Sequence, residues 1–70
     1  MKIQINGQAE TFTQASFTVT ELLSAKAVDM PDMVSVELNG NILDRESFAT
    51  TFVKEGDQVE FLYFMGGGKA

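Results

Sequence analysis

The chain contains neither cysteine nor histidine in its 70 residues. A chain this short buries only ~60% of the surface that its unfolded form exposes, and small folds often rely on disulfides or metal ions for stability. Without these two residue types, disulfides, thiolate chemistry, histidine bases and the usual zinc and iron ligands are excluded. Because 44% of the residues are hydrophobic, we expect one domain stabilised by apolar packing alone.

The charge balance is acidic, with five basic and ten acidic residues and a formal net charge of −5. Phosphate backbones repel such a domain, so we expect no nucleic-acid partner and favour a protein with a basic docking surface. The first residues show no secretory signal, and no apolar run approaches the roughly 18 residues that a membrane span requires. We therefore expect a cytoplasmic protein without a membrane contact, monomeric when alone.

Alternation of apolar and polar residues predicts a hairpin at the start of the chain. Ile3 and Ile5 alternate with polar neighbours, as in a half-buried strand. The following Asn6-Gly7 is a strong signal for a type I′ turn, because both of its central positions need positive φ. We expect a returning strand over 8–13, with Phe12 pointing inward.

A helix is predicted next. Thr18 and Glu21 have the spacing of a capping box, in which each side chain accepts a hydrogen bond from the other residue's backbone N–H. The helix should end near Ala27, and Pro31 prevents any long continuation. Four residues share one face by helical spacing: Val19, Leu22, Leu23 and Lys26. Lys26 can extend its ammonium group into water.

Strand periodicity returns after the helix. Val34, Val36 and Leu38 share one face, Asn39-Gly40 predicts a second tight turn, and a short strand is expected over 41–43.

The last third of the chain contains one polar segment and one apolar strand. The polar segment 44–51 should include a brief helical turn over 45–48, and Glu55-Gly56-Asp57 predicts a third turn. The final strand is expected over 58–64.

The resulting order is strand, strand, helix, strand, short strand, strand. Hairpins flanking one crossover helix are the plan of a β-grasp, so we predict an α+β fold with a mixed sheet of four to five strands and one main helix packed on one face. We predict the domain over 1–65 and a flexible glycine tail with a Lys-Ala extension over 66–70.

The tail is the first candidate functional feature. Gly66, Gly67 and Gly68 have no side chains, so they can enter a channel too narrow for any other residue. Extended, residues 65–68 could reach on the order of 13 Å beyond the sheet. Taken alone, an inert glycine-rich terminus is the commoner interpretation.

The second feature is the open face of the final strand. If Val59 and Phe61 fill the core, then Leu62 and Phe64 lie on the other face, and Met65 continues that apolar surface into the tail. We interpret Leu62, Phe64 and Met65 as a partner-docking surface beside the tail. The competing interpretation is that neighbouring strands or self-association cover these residues.

Several segments, in this order, make the chain similar to the ThiS/MoaD family of ubiquitin-like sulfur carriers, and most similar to its thiamine-pathway members. The similarity covers essentially the whole chain and includes the three glycines at its end. Its most specific segments are Ile3-Gln4-Ile5-Asn6-Gly7, Val19-Thr20-Glu21-Leu22-Leu23, Val36-Glu37-Leu38-Asn39-Gly40 and Lys54-Glu55-Gly56-Asp57-Gln58-Val59-Glu60.

The resemblance implies a ubiquitin-like β-grasp that acts as a cosubstrate and has no catalytic residues of its own. A ubiquitin-activating-like adenylyltransferase (ThiF/MoeB type) uses ATP and magnesium to adenylate the terminal carboxylate, and a sulfur donor such as a cysteine desulfurase supplies the sulfur. The product is a glycine thiocarboxylate, which a thiazole synthase (ThiG type) or another sulfur-accepting enzyme consumes. By resemblance, Gly68 is the sulfur acceptor, Gly67 completes the terminal pair and Gly66 is a spacer. No cofactor or metal is expected on the carrier itself.

One departure from the family pattern is the Lys69-Ala70 that follows the glycines, because an amide at Gly68 has no carboxylate to adenylate. Either a tail-trimming peptidase removes the two residues, or the chain is inactive or altered.

Other functions remain open. They include a carrier for homocysteine (methionine) or cysteine synthesis, a molybdopterin carrier, and a β-grasp interaction module with an inert tail. An enzyme is disfavoured because the carboxylates are scattered and are expected to be solvated: Glu10, Glu21, Asp29, Asp32 and Glu37.

Overall fold

The computed structural model of the protein describes residues 1–28 and 33–63. Predictions that concern the remaining residues lie outside this range. They are the helix stop at Pro31, the carboxylates of Asp29 and Asp32, the docking residues Phe64 and Met65, and the tail over 66–70.

The first hairpin forms as predicted. Strand β1 (Lys2–Ile5) pairs antiparallel with β2 (Gln8–Thr11). Asn6 and Gly7 join them with φ values of 52° and 84°, the positive values that this turn requires. The returning strand is two residues shorter than the predicted range 8–13. Phe12 follows it and packs, partly buried, against the core as predicted, with its ring edge-on to the Phe17 ring and the ring centroids 5.1 Å apart.

Helix α1 (Val19–Ala25) begins with the predicted capping box. The Glu21 backbone N–H donates to Thr18 Oγ1 at 3.1 Å, and the Thr18 N–H donates to Glu21 Oε1 at 2.8 Å. The helix ends two residues before Ala27, since Ala27 has a φ of 54°, a left-handed conformation that stops helical hydrogen bonding.

The expectation of solvated ends for Lys26 and Glu10 is wrong. The Lys26 ammonium donates to both carboxylate oxygens of Glu10, at 2.7 and 2.8 Å. Glu10 lies opposite the buried Ile3 in the β1–β2 register, so its side chain is on the helix side of the sheet edge. The ion pair therefore links the end of α1 to strand β2.

A second, two-stranded sheet was missed in the sequence. Strand β3 (Ser16–Thr18) pairs antiparallel with β6 (Phe52–Lys54), and Phe17 faces Val53 across them. Both of these side chains are buried. Three-residue strands carry too few alternations for periodicity to detect them.

The remaining elements follow the predicted order. They are β4 (Val34–Leu38), β5 (Asn41–Ile42), a 3₁₀ turn (Arg45–Ser47) and β7 (Gln58–Tyr63). Strand β5 is one residue shorter than expected, and β7 follows the predicted final strand up to residue 63, the last one described.

The main sheet has the order β2-β1-β7-β4-β5. Strand β7 is central, parallel to β1 and antiparallel to β4. The helix covers one face, and no described element covers the other, open face. The prediction of a mixed sheet of four to five strands with one main helix on one face is confirmed. The core between sheet and helix consists of Ile3, Ile5, Phe17, Val19, Leu22, Leu23, Val34, Val36, Phe48, Val53, Val59 and Phe61.

Candidate functional site

The candidate site is the final strand β7 together with the open sheet face around it. Its central position means that β7 is hydrogen-bonded on both sides, with Ile5 beside Val59 on one side and Val36 beside Phe61 on the other. A strand held on both edges is among the most rigid elements of a small domain. The chain therefore leaves the described part of the molecule, at residue 63, from the middle of the sheet.

Two asparagine side chains extend the hydrogen bonding of β7 at its edges. The Phe61 backbone N–H donates to Asn6 Oδ1 at 2.9 Å, and the Gln58 N–H donates to Asn39 Oδ1 at 2.9 Å. Both asparagines have a positive φ at the first position of an Asn-Gly turn. The same residues thus form the two tight turns and anchor the strand that leads to the tail.

Asp57 fixes the turn immediately before β7. Its carboxylate accepts from the Lys54 backbone N–H at 2.9 Å and from Asn39 Nδ2 at 3.1 Å. The residue is only 9% exposed, so both hydrogen bonds lie in a partly dehydrated setting. Asp57 therefore sets where β7 begins.

The two faces of β7 are as the sequence predicted. Val59 and Phe61 are buried at 1% and 7% exposure, whereas Leu62 is 40% exposed on the open face. The other two predicted docking residues, Phe64 and Met65, and the three tail residues, Gly66, Gly67 and Gly68, lie outside the described range. The docking and acceptor roles of all six residues stay predictions.

Sequence reasoning missed a second exposed apolar residue on this face. Ile42 is 59% exposed and lies directly opposite Glu37 in the β4–β5 register. The two-residue Asn39-Gly40 turn could have predicted the position of Ile42, because a hairpin loop of this length determines which residues of the two strands face each other.

The open face also carries two acidic residues next to each other. Glu37 of β4 lies directly opposite Glu60 of β7, and facing residues of an antiparallel pair point to the same side of the sheet. Leu62 is on the same face, two residues along β7 from Glu60, opposite Ser35. The face thus combines an acidic pair with two exposed apolar residues.

Metal binding and membrane spanning find no support in the described residues. Across 1–28 and 33–63 there is no group of three or more metal-ligating side chains. Within these same ranges, none of the helical segments has the length and apolar character needed to cross a membrane. Chemically, the arrangement offers a rigid strand end next to an exposed, partly apolar and partly acidic surface.

Together, the mixed sheet, the capped helix on one face and the central position of β7 define a β-grasp domain of the ubiquitin-like class. The model of the ThiS family matches residues 3–68, and the chain belongs to the ThiS family.

Solved structures support the same assignment. The chain is 55% identical to a crystal structure of a thiamine biosynthesis protein (ThiS) from Geobacter metallireducens, with a TM-score of 0.89 over 97% of this chain and 100% of that one. An NMR solution structure of a thiamine biosynthesis protein from the same organism has 56% identity and a TM-score of 0.80, over 100% of this chain and 91% of that one.

Two curated relatives are longer proteins, both named thiazole synthase. The chain is 43% identical over 68 residues to one from Paramagnetospirillum magneticum, which is 97% of this chain and 20% of the relative. It is 33% identical over 69 residues to one from Magnetococcus marinus, 99% of this chain and 21% of the relative. The chain thus spans about a fifth of the length of these relatives.

Proposed function

We propose that the protein is a sulfur carrier of thiamine biosynthesis, and that its acceptor is the carboxyl group of Gly68 after removal of Lys69-Ala70. The observation that carries this proposal is the extent of the family match, which includes all three glycines and ends at Gly68. The match does not extend to Lys69-Ala70. In this function the chain is a cosubstrate of other enzymes rather than a catalyst.

The chemistry requires a free Gly68 carboxylate, which is a poor electrophile until it is activated. The carboxylate attacks the α-phosphate of magnesium-bound ATP, releases pyrophosphate and becomes an acyl adenylate with a good leaving group. The terminal sulfur of a protein persulfide, generated by a cysteine desulfurase, then displaces AMP and forms an acyl disulfide. A second thiol cleaves the acyl disulfide, which yields a disulfide and the Gly68 thiocarboxylate.

A thiazole synthase is the proposed consumer of this thiocarboxylate. Support comes from the two longer relatives, in which a segment matching nearly this whole chain belongs to a protein named thiazole synthase. A carrier segment within the same polypeptide as the synthase would remain beside its partner at a high effective concentration. The enzyme that receives the sulfur from this chain is therefore proposed to be a synthase of that class.

The adenylating partner is proposed to be a ubiquitin-activating-like adenylyltransferase in the cytoplasm. It would dock on the open face at Leu62, whose exposure of 40% leaves an apolar side chain for a partner to cover. Phe64 and Met65 would extend this contact toward the active site. The central anchoring of β7 supports this role, since a rigid strand limits the volume that the tail must search.

The test uses two chains, one that ends at Gly68 and one that retains Lys69-Ala70. Each is incubated with the activating enzyme and magnesium-ATP, and adenylation is followed by isotope exchange between pyrophosphate and ATP. A persulfide donor and a thiol are then added, and the intact mass is measured. We expect exchange, and a mass increase equal to the replacement of one oxygen by sulfur, only for the chain that ends at Gly68.

The untrimmed chain is the matched control, because it has the same domain and lacks only the free glycine carboxylate. Exchange with both chains would contradict the need for trimming. Absence of exchange with both chains would contradict the carrier function and favour a β-grasp interaction module.

A further inference from the structure

The open face contains a like-charge contact that the fold itself does not need. Glu37 and Glu60 face each other directly across β4 and β7, which puts their Cβ atoms about 4.5–5.5 Å apart. Like charges in this position destabilise a sheet. Within residues 1–28 and 33–63, neither Glu37 nor Glu60 forms an ion pair, and the Lys26–Glu10 pair involves neither of them.

Two exposed apolar side chains lie beside this pair. Ile42 lies beside Glu37 on β5, and Leu62 follows Glu60 on β7, with exposures of 59% and 40%. A surface that combines a central charged pair with flanking aliphatic groups fits a partner that inserts a long basic side chain between apolar contacts.

We propose that Glu37 and Glu60 receive an arginine or lysine side chain of the adenylyltransferase that activates the tail. This inference rests on the proposed function and specifies the recognition chemistry of its docking step. The charge of the two carboxylates is complementary to one guanidinium or ammonium group, and their repulsion is relieved when that group binds.

Charge complementarity favours the adenylyltransferase over the thiazole synthase as the occupant. The enzyme that adenylates Gly68 must hold the triphosphate of ATP beside a second anion, the carboxylate, so the region around its active site has to be electropositive. Glu60 lies on β7, the strand that leads to the tail, and Glu37 lies beside it on β4. The pair therefore meets this positive region when the tail enters the site. The net charge of −5 also favours this enzyme, because it attracts the carrier toward an electropositive partner and speeds their association.

The test variant is the double substitution E37Q/E60Q in the chain that ends at Gly68. It keeps the size of both side chains and removes both charges. The matched control is D44N/E46Q, which changes the net charge equally at two exposed residues around the 3₁₀ turn. The measurement is the exchange of pyrophosphate with ATP as a function of carrier concentration, at low and at moderate salt.

For E37Q/E60Q we expect about a ten-fold higher KM for the carrier, an unchanged kcat and a weaker dependence of KM on salt. The control should change KM by less than about two-fold. The thermal midpoint of E37Q/E60Q should be equal to or higher than that of the unaltered chain, because the repulsion is gone. A higher KM together with an undiminished thermal midpoint would show that Glu37 and Glu60 act in docking and not in stabilising the fold.

A KM for E37Q/E60Q equal to that of the control overturns this inference and leaves the carrier function standing. The same holds if E37Q/E60Q is adenylated normally but its thiocarboxylate is transferred poorly to the thiazole synthase, since the occupant would then be the synthase. If the unaltered chain that ends at Gly68 is not adenylated at all, the proposed function fails and this inference fails with it.

Discussion

The Asn39 side-chain amide donates to the Asp57 carboxylate at 3.1 Å, and so joins two turns that are distant in sequence. Asn39 Oδ1 also accepts from the backbone of Gln58. One asparagine thus closes the β4–β5 hairpin, holds the turn before β7 and continues the hydrogen bonding at the start of β7. Asn39 therefore joins the start of β7 to the β4–β5 hairpin through its side chain.

This relationship predicts that Asn39→Asp destabilises the domain more than Asn6→Asp does. At position 39 the substitution replaces an N–H donor with a carboxylate that faces Asp57, which is 9% exposed. We expect a loss of about 1–3 kcal/mol in the free energy of unfolding at neutral pH, measured by urea denaturation.

Asn6→Asp is the matched control, because Asn6 also lies in an Asn-Gly turn with positive φ. Its Oδ1 accepts from Phe61, a role that a carboxylate keeps, so its cost should stay below about 0.5 kcal/mol. Equal losses for the two variants would mean that the turn conformation, and not the contact with Asp57, determines stability.

Features set by neighbouring residues could be predicted from the sequence. The positive φ values at Asn6 and Asn39 follow from Asn-Gly pairs, and the capping box of Thr18 and Glu21 follows from a spacing of three. The two faces of β7 follow from alternation, once Phe61 is assigned to the core.

Features set by distant partners could not be predicted in this way. Strand β3 forms because Ser16-Phe17-Thr18 pairs with β6. The sequence of these three residues alone does not distinguish a strand from a loop. Phe48 lies in a polar segment and yet is 6% exposed, because the 3₁₀ turn folds its ring into the core. The Glu37–Glu60 contact depends on the β4–β7 register, which no single turn determines.

The core position of Phe61 predicts a large stability effect. Phe61→Ala removes a ring that is 7% exposed and should reduce the free energy of unfolding by about 3–5 kcal/mol. Leu62→Ala is the adjacent control on the open face and should cost less than about 1 kcal/mol. A larger loss for Leu62→Ala than for Phe61→Ala, in chemical denaturation, would contradict the assignment of the two faces.

The capping box predicts a smaller, local effect. Thr18→Ala removes the oxygen that accepts from the Glu21 N–H at 3.1 Å and should cost about 1 kcal/mol. Thr20→Ala, at an exposed site in the first turn of α1, should be neutral or slightly stabilising because alanine has the higher helix propensity. Equal unfolding free energies for the two variants would show that the cap contributes nothing.

The exposed side chain of Leu62 predicts a separation of docking from stability. Leu62→Gln keeps a similar volume but places an amide where the activating enzyme is proposed to bury an aliphatic group, so we expect about a ten-fold higher KM for the carrier in pyrophosphate exchange. The thermal midpoint should change little, since Leu62 is already 40% exposed.

The control for this variant is Phe52→Gln, which alters a 56% exposed residue of the two-stranded sheet, outside the open face of the main sheet. It should leave KM unchanged within about two-fold. Because Leu62→Gln changes no charge, its effect should persist at moderate salt, whereas the effect of removing Glu37 and Glu60 should shrink. A rise in KM for Phe52→Gln as large as that for Leu62→Gln would place the docking surface on the other sheet.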